Sequence, residues 1–316
     1  MKPFAFVFPG QGSQSVGMLD AWGDHPVVAR TLAEASDALG EDLGRLIHDG
    51  PKDALALTTN TQPVMLVAAI AAYRVWMHEV GVAPAAVAGH SLGEYSALVA
   101  AGALTLADAV PLVRYRAAAM QEAVPVGAGA MAAILGLDSA KVVAGCVEAT
   151  AAMPPGSGES VQAANFNDPA QTVISGSKAA VDKACEILKG MGAKRAMPLA
   201  VSAPFHSQLM VPAAERLQEC LRSVALQAPS MPVVNNIDVA TPSDVAQIRD
   251  ALVRQASGPV RWVECVQAIK ARGLTHLVEC GPGKVLLGLT KRIDAELVGL
   301  AVFDPASLSE TRGALA

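Results

Sequence analysis

Residues 85–100 read AAVAGHSLGEYSALVA, and the fold of the chain turns on them. The apolar run Ala85–Ala88 has the length of a buried strand, and from Ser96 to Ala100 the pattern is helical. Between them stands Gly89-His90-Ser91-Leu92-Gly93, a Gly-x-Ser-x-Gly segment at a strand-to-helix junction, which is the arrangement of a nucleophile elbow. The turn is so tight that the residues two before and two after the serine must lack bulk. It lifts the Ser91 hydroxyl clear of the sheet at a helix N-terminus, where the free backbone N–H of Leu92 can stabilise an oxyanion. A chain with 27 glycines meets three fixed positions by chance on occasion. Placement after an apolar strand and before a helix argues against chance here.

On both sides of this segment short β-type runs alternate with longer helical patterns, the signature of an α/β fold with a largely parallel sheet. Expected sheet strands are Phe4–Phe8, Ala85–Ala88, Pro232–Asn236, His276–Glu279 and Val298–Val302. Helices are expected at Ser96–Ala100, Leu106–Glu122, Gln208–Ser223 and Ser243–Gln255. The middle of the chain has another rhythm: strand 130–136, helix 138–149, strands 161–166 and 172–176, helix 178–190 and strand 194–200. That β-α-β-β-α-β order is a ferredoxin-like unit. It predicts a small domain over 128–198, inserted into a discontinuous larger domain of 1–127 and 199–316. A crevice between the two is the expected binding site.

The opening stretch FAFVFPGQGSQSVGM, residues 4–18, invites a nucleotide reading that its details refuse. The third glycine of a dinucleotide fingerprint is replaced by Ser15, and no Gly-Lys-Ser/Thr run follows. What is left unexplained is Gln11, an amide between Gly10 and Gly12 at the mouth of a strand.

Composition excludes other classes. The chain has 316 residues, a net charge of −5 and no block of like charges, so a nucleic-acid surface is not expected. Its longest apolar stretch, Val64–Tyr73, is about half a membrane span and reads as part of a buried helix. The N-terminus offers one basic flank, Lys2, and an apolar run too short for a signal peptide. A cytoplasmic protein with no membrane contact is the expectation. Five cysteines lie far apart without metal-ligand spacing, which predicts reduced, mostly buried thiols.

A serine nucleophile needs a base, and six histidines are available. His90 adjoins Ser91, but neighbouring side chains diverge at a sharp elbow. His78 falls in a helical pattern, His25 and His48 have polar surroundings, and His276 begins a strand. His206, in the loop SAPFHSQ that follows the inserted unit, is favoured as the base.

Six motifs, GQGSQ, GHSLGEYSAL, VRYRAAAMQ, NDPAQTVISG, PFHS and RQASGPVRW, appear in this order. With them the chain resembles the malonyl-CoA:acyl carrier protein transacylases of bacterial fatty acid synthesis and the related acyltransferase domains of polyketide synthases, over residues 3–295. The resemblance implies an α/β-hydrolase-like large domain with a parallel sheet and an inserted ferredoxin-like small domain. It implies Ser91 as the nucleophile that accepts malonate, His206 as general base, and a carbonyl of Gln255 orienting the imidazole. Gln11 becomes acyl-site lining, with its N–H and that of Leu92 forming the oxyanion hole. Arg116 is assigned to the malonyl carboxylate, which suits a planar donor pair that keeps its charge. Arg114, two residues away on the same helix, points elsewhere. Asn165 is implied in the thioester channel, with a turn-capping role equally open, and Phe205 as a steric limit on branched acyl groups.

The implied partners are malonyl-CoA, as substrate, and acyl carrier protein with its phosphopantetheine arm. No metal or redox cofactor is expected, and the chain is expected to be a monomer. Carrier proteins are acidic, so a local basic patch is required. Lys189, Lys194, Arg195, Lys284, Lys291 and Arg292 are the candidates. Three alternatives stay open on sequence: a serine esterase or thioesterase, a non-catalytic carrier-binding subunit, and malonyl transfer to a polyketide synthase or malonate decarboxylase carrier.

Overall fold

The computed structural model describes every residue from Met1 to Ala316. The chain divides into two compact units, the first comprising Met1–Ala117, Ser223–Ile248 and Cys265–Ala316, the second Ala118–Arg222 and Arg249–Glu264. Nine strands form in chain order: β1 (Phe4–Phe8), β2 (Ala86–Gly89), β3 (Gly129–Leu135), β4 (Val161–Asp168), β5 (Gln171–Ser177), β6 (Arg195–Pro198), β7 (Val233–Val234), β8 (His276–Cys280) and β9 (Val298–Val302).

The first unit is built on a five-stranded sheet of order β7-β2-β1-β8-β9, with every neighbouring pair parallel. Parallel sheets are covered on both faces, and β1 and β2 are buried along their whole length. Phe4 and Phe6 each stand 5.5 Å edge-on to Trp76 of the helix Thr58–Glu79. The scarce aromatics are thus spent anchoring one long helix to the central strand. The register sets Phe8 beside Gly89 and Ala88 beside Val234. The loops after β1, β2 and β7 therefore leave the sheet at the same edge, the one where open α/β sheets bind ligands.

The second unit carries a four-stranded sheet of order β4-β5-β3-β6, antiparallel throughout. The helices Ser139–Ala151 and Lys178–Gly190 cover one face, closing a core that includes Ile134, Val142, Ile174, Val181 and Leu188. On the other face Met131, Ala133, Ala164 and Val173 form a smaller cluster against which Phe205 packs. Order and connectivity are those of the ferredoxin-like unit. The α/β class and both sheets agree with the reading from sequence.

Local departures have identifiable causes. The strand expected over Pro232–Asn236 shrinks to Val233–Val234, because the next two amides leave the ladder. Asn235 N–H donates to the Ala240 carbonyl and Asn236 N–H to the Glu94 carboxylate. The helix expected from Ser96 begins at Gly93, since Gly93 and Glu94 already donate to the His90 and Ser91 carbonyls. All five cysteines are free thiols, and burial pushes that of Cys146 up to about 12. No helix is long and apolar enough to cross a membrane.

Candidate active site

The elbow tolerates no side chain at its glycines. A Cβ on Gly89 would lie 1.9 Å from the carbonyl carbon and oxygen of Gly93, and one on Gly93 would lie 2.1 Å from the Phe8 oxygen. Ser91 is held at φ 53°, a left-handed conformation that residues other than glycine seldom adopt. Its N–H donates to Asn236 Oδ1 at 2.8 Å. The next amide, that of Leu92, has no protein acceptor, and neither has the N–H of Gln11. The loop carrying Gln11 comes this close because Gly10 has no Cβ, which would otherwise meet the His90 oxygen at 2.6 Å.

Arg116 is 2% exposed and aims its guanidinium at the Ser91 hydroxyl. Nη2 lies 3.4 Å from Ser91 Oγ, Nη1 donates to Gln62 Oε1 at 2.7 Å, and the group sits 5.4 Å from the Tyr95 ring centroid. Burial pushes its pKa down, and Tyr95 and the Glu94 carboxylate work against that shift. A chain of donors leads away from it: Gln62 Nε2 reaches Thr58 Oγ1 at 3.4 Å, and Thr58 donates to Gln11 Oε1 at 2.9 Å. Arg114, by contrast, is spent on a paired contact with Glu41 at 3.0 and 2.7 Å.

In the second unit His206 is 3% exposed, at φ 59°. Its Nδ1 lies 2.9 Å from the Gln255 carbonyl oxygen and 3.1 Å from that of Gly258. Two carbonyls only accept, so Nδ1 carries the hydrogen, and in the neutral ring the lone pair then falls on Nε2, the form a general base requires. The segment supplying these carbonyls is stitched to β4, with Phe166 N–H donating to the Val260 oxygen and Val260 N–H to the Ala164 oxygen. Asn165, 7% exposed, lies at this junction, and Phe205 is half-buried beside His206.

Gln11, Ser91, Leu92 and Arg116 are thus gathered in the first unit, and Asn165, Phe205, His206 and Gln255 in the second. Four residues went unassigned in the sequence: Thr58, Gln62, Glu94 and Asn236. Glu94 directly follows the elbow motif, and Asn236 follows a parallel strand at its C-terminal end, where functional side chains concentrate. Thr58 and Gln62 lie in the polar first turns of a helix whose middle is apolar, a weaker signal.

The first unit thus combines a parallel α/β sheet, a serine on its strand–helix elbow and a buried guanidinium at that hydroxyl, and the class these belong to is that of the acyltransferases. Residues 5–293 match the family model of the acyl transferase domain. The malonyl CoA-acyl carrier protein transacylase of Salmonella typhimurium is 53% identical over 310 residues, 98% of each chain. The acyl-carrier-protein S-malonyltransferase of Burkholderia pseudomallei has a crystal structure matching at a TM-score of 0.95 and 66% identity, over 98% of this chain and 99% of that one. A malonyl-transacylase solved in complex with a type II polyketide synthase acyl-carrier protein matches at 0.94 and 50% identity, over 98% of each chain. The chain belongs to the acyl transferase domain family, among the malonyl CoA-acyl carrier protein transacylases.

Proposed function

We propose that the protein moves the malonyl group from malonyl-CoA to the phosphopantetheine thiol of acyl carrier protein by a two-step route through O-malonyl-Ser91, supplying fatty acid synthesis. The observation that carries this reading is Arg116 Nη2, buried and 3.4 Å from Ser91 Oγ. An esterase acting on neutral acyl groups has no use for a guanidinium there, whereas an acyl group ending in a carboxylate does. The names of the relatives, malonyl-transferring proteins, support the same acyl group.

In the proposed first step Ser91 Oγ attacks the thioester carbonyl while Nε2 of His206 takes its proton. Negative charge develops on the carbonyl oxygen, for which the N–H groups of Leu92 and Gln11 are the proposed donors. The C–S bond breaks, and the imidazolium returns its proton to the departing CoA sulfur. In the second step the carrier thiol gives its proton to His206, attacks the ester, and releases Ser91 Oγ, which recovers the proton. The Gln255 and Gly258 carbonyls stabilise imidazolium less than a carboxylate would, yet they fix the same tautomer. A serine activated in this way needs no metal or redox cofactor. Asn165 and Phe205 are proposed to line the substrate path. The protein is proposed to act as a cytoplasmic monomer, docking its carrier through exposed cations such as Lys284, Lys291 and Arg292.

The test measures CoA release from malonyl-CoA with and without holo carrier. The proposal requires release to stop near one equivalent alone, and to continue, matched by malonyl-carrier, when carrier is present. Continuous release without carrier means that water is the acceptor and overturns it.

A further inference from the structure

Asn236 lies two residues beyond β7, fully buried, and its side chain is divided between the two sides of the elbow. Oδ1 accepts the Ser91 N–H at 2.8 Å, and Nδ2 donates to the Gly89 oxygen at 2.8 Å. Its backbone N–H donates to Glu94 Oε2, also at 2.8 Å, and Glu94 is itself 2% exposed. The β2–β7 register, which sets Ala88 beside Val234, delivers Asn236 to this place.

We infer that Asn236, seated by Glu94, is a positioning residue for the nucleophile, an inference that rests on Ser91 being that nucleophile. Ser91 at φ 53° is in a conformation its Cβ disfavours, so the local chain has an easier alternative in which the hydroxyl turns away. An amide is the one side chain of this size that presents an acceptor and a donor from the same end. By holding Ser91 N–H and the Gly89 carbonyl together, Asn236 ties the residue two before the serine to the serine itself, and the turn cannot relax. The same bond occupies the Ser91 amide, which leaves that of Leu92 as the elbow's donor to an oxyanion. Since Asn236 has no exposed surface, it acts through Ser91 and not by touching substrate.

Glu94 links this clamp to the acyl end of the site. Its carboxylate bonds the Asn236 backbone and lies close enough to Arg116 to support that buried charge. One carboxylate therefore serves both the elbow and the guanidinium beside it.

The experiment is single-turnover acylation by malonyl-CoA, without carrier, in wild type and Asn236→Ala. Loss of positioning lowers the rate constant about tenfold or more, with full final amplitude and a half-saturating malonyl-CoA concentration within about twofold of wild type. Simple loss of folded protein lowers the amplitude and leaves the rate constant, which overturns the inference, as does a wild-type rate in a folded variant. A second measurement needs no variant: the Ser91 amide of the wild-type protein is expected to be protected from hydrogen exchange. Exchange at the rate of an open amide removes the clamp whatever becomes of Asn236→Ala. A malonyl adduct persisting in Ser91→Ala would sink the nucleophile assignment instead, so the two failures are distinct.

Discussion

Replacing Arg116 by alanine removes the buried cation that faces Ser91. Nη1 is committed to Gln62 Oε1 at 2.7 Å, while Nη2 lies 3.4 Å from Ser91 Oγ. A carboxylate arriving on the acyl group is the stronger acceptor and draws one or both nitrogens toward itself. Each charge-assisted bond is worth about 1.5–3 kcal/mol. A loss of about 3–4 kcal/mol in the transition state then lowers kcat/KM for malonyl-CoA by about 10²–10³-fold. Acetyl-CoA offers no carboxylate, and in wild type it must be accommodated beside a desolvated guanidinium. Arg116→Ala therefore lowers acetyl transfer much less, or raises it. Arg116→Lys falls between the two, because one ammonium cannot span Gln62 and the acyl carboxylate together. The assay is the ratio of kcat/KM for malonyl-CoA to that for acetyl-CoA in the three proteins. A ratio unchanged by Arg116→Ala would take the arginine out of the acyl site.

Other outcomes follow from the same geometry. His206→Ala slows acylation and transfer together, since one imidazole serves both steps; a variant slowed only in transfer would make His206 a docking residue. Charge reversal at Lys284, Lys291 or Arg292 lowers transfer to the carrier and leaves self-acylation intact, with wild-type transfer weakening as salt rises. Transfer indifferent to both would exclude these cations. Glu279, fully buried on β8, accepts the Leu287 N–H at 2.7 Å, yet burial raises its pKa from 4.5 to about 7. The folded state thus holds this proton more tightly than the unfolded chain, so the contribution to stability is complete below pH 4.5 and is lost as pH climbs to about 7. Glu279→Gln keeps an acceptor without the charge, and its stability relative to wild type should grow by about 3 kcal/mol across that interval in denaturant titrations. A flat difference would contradict the buried titration.

Much of this molecule is legible in one dimension because its signals are local. Phe4–Phe8 declares itself as a strand by five apolar residues ending at Pro9, and Gly89 and Gly93 announce a turn that only glycines allow. His206 stood out by its loop position. What could not be read was the supporting layer. Asn236 meets Ser91 across 145 residues, Gln62 meets Arg116 across 54, and no periodicity reports such pairs. The Gly258 carbonyl shares the His206 proton with Gln255, but a backbone acceptor leaves no mark in side-chain chemistry. The shortening of β7 has the same origin, since amides that look available for a ladder are taken by Glu94 and Ala240.

On its way to a carrier, malonyl is proposed to pass through Ser91. Mass spectrometry of the intact protein after malonyl-CoA, with peptide mapping, tests it most directly. One added malonyl group is expected, located on Ser91, absent in Ser91→Ala, and moved to the phosphopantetheine thiol when holo carrier is added. An adduct on another residue, or one that disappears into water while the carrier stays unloaded, would contradict it.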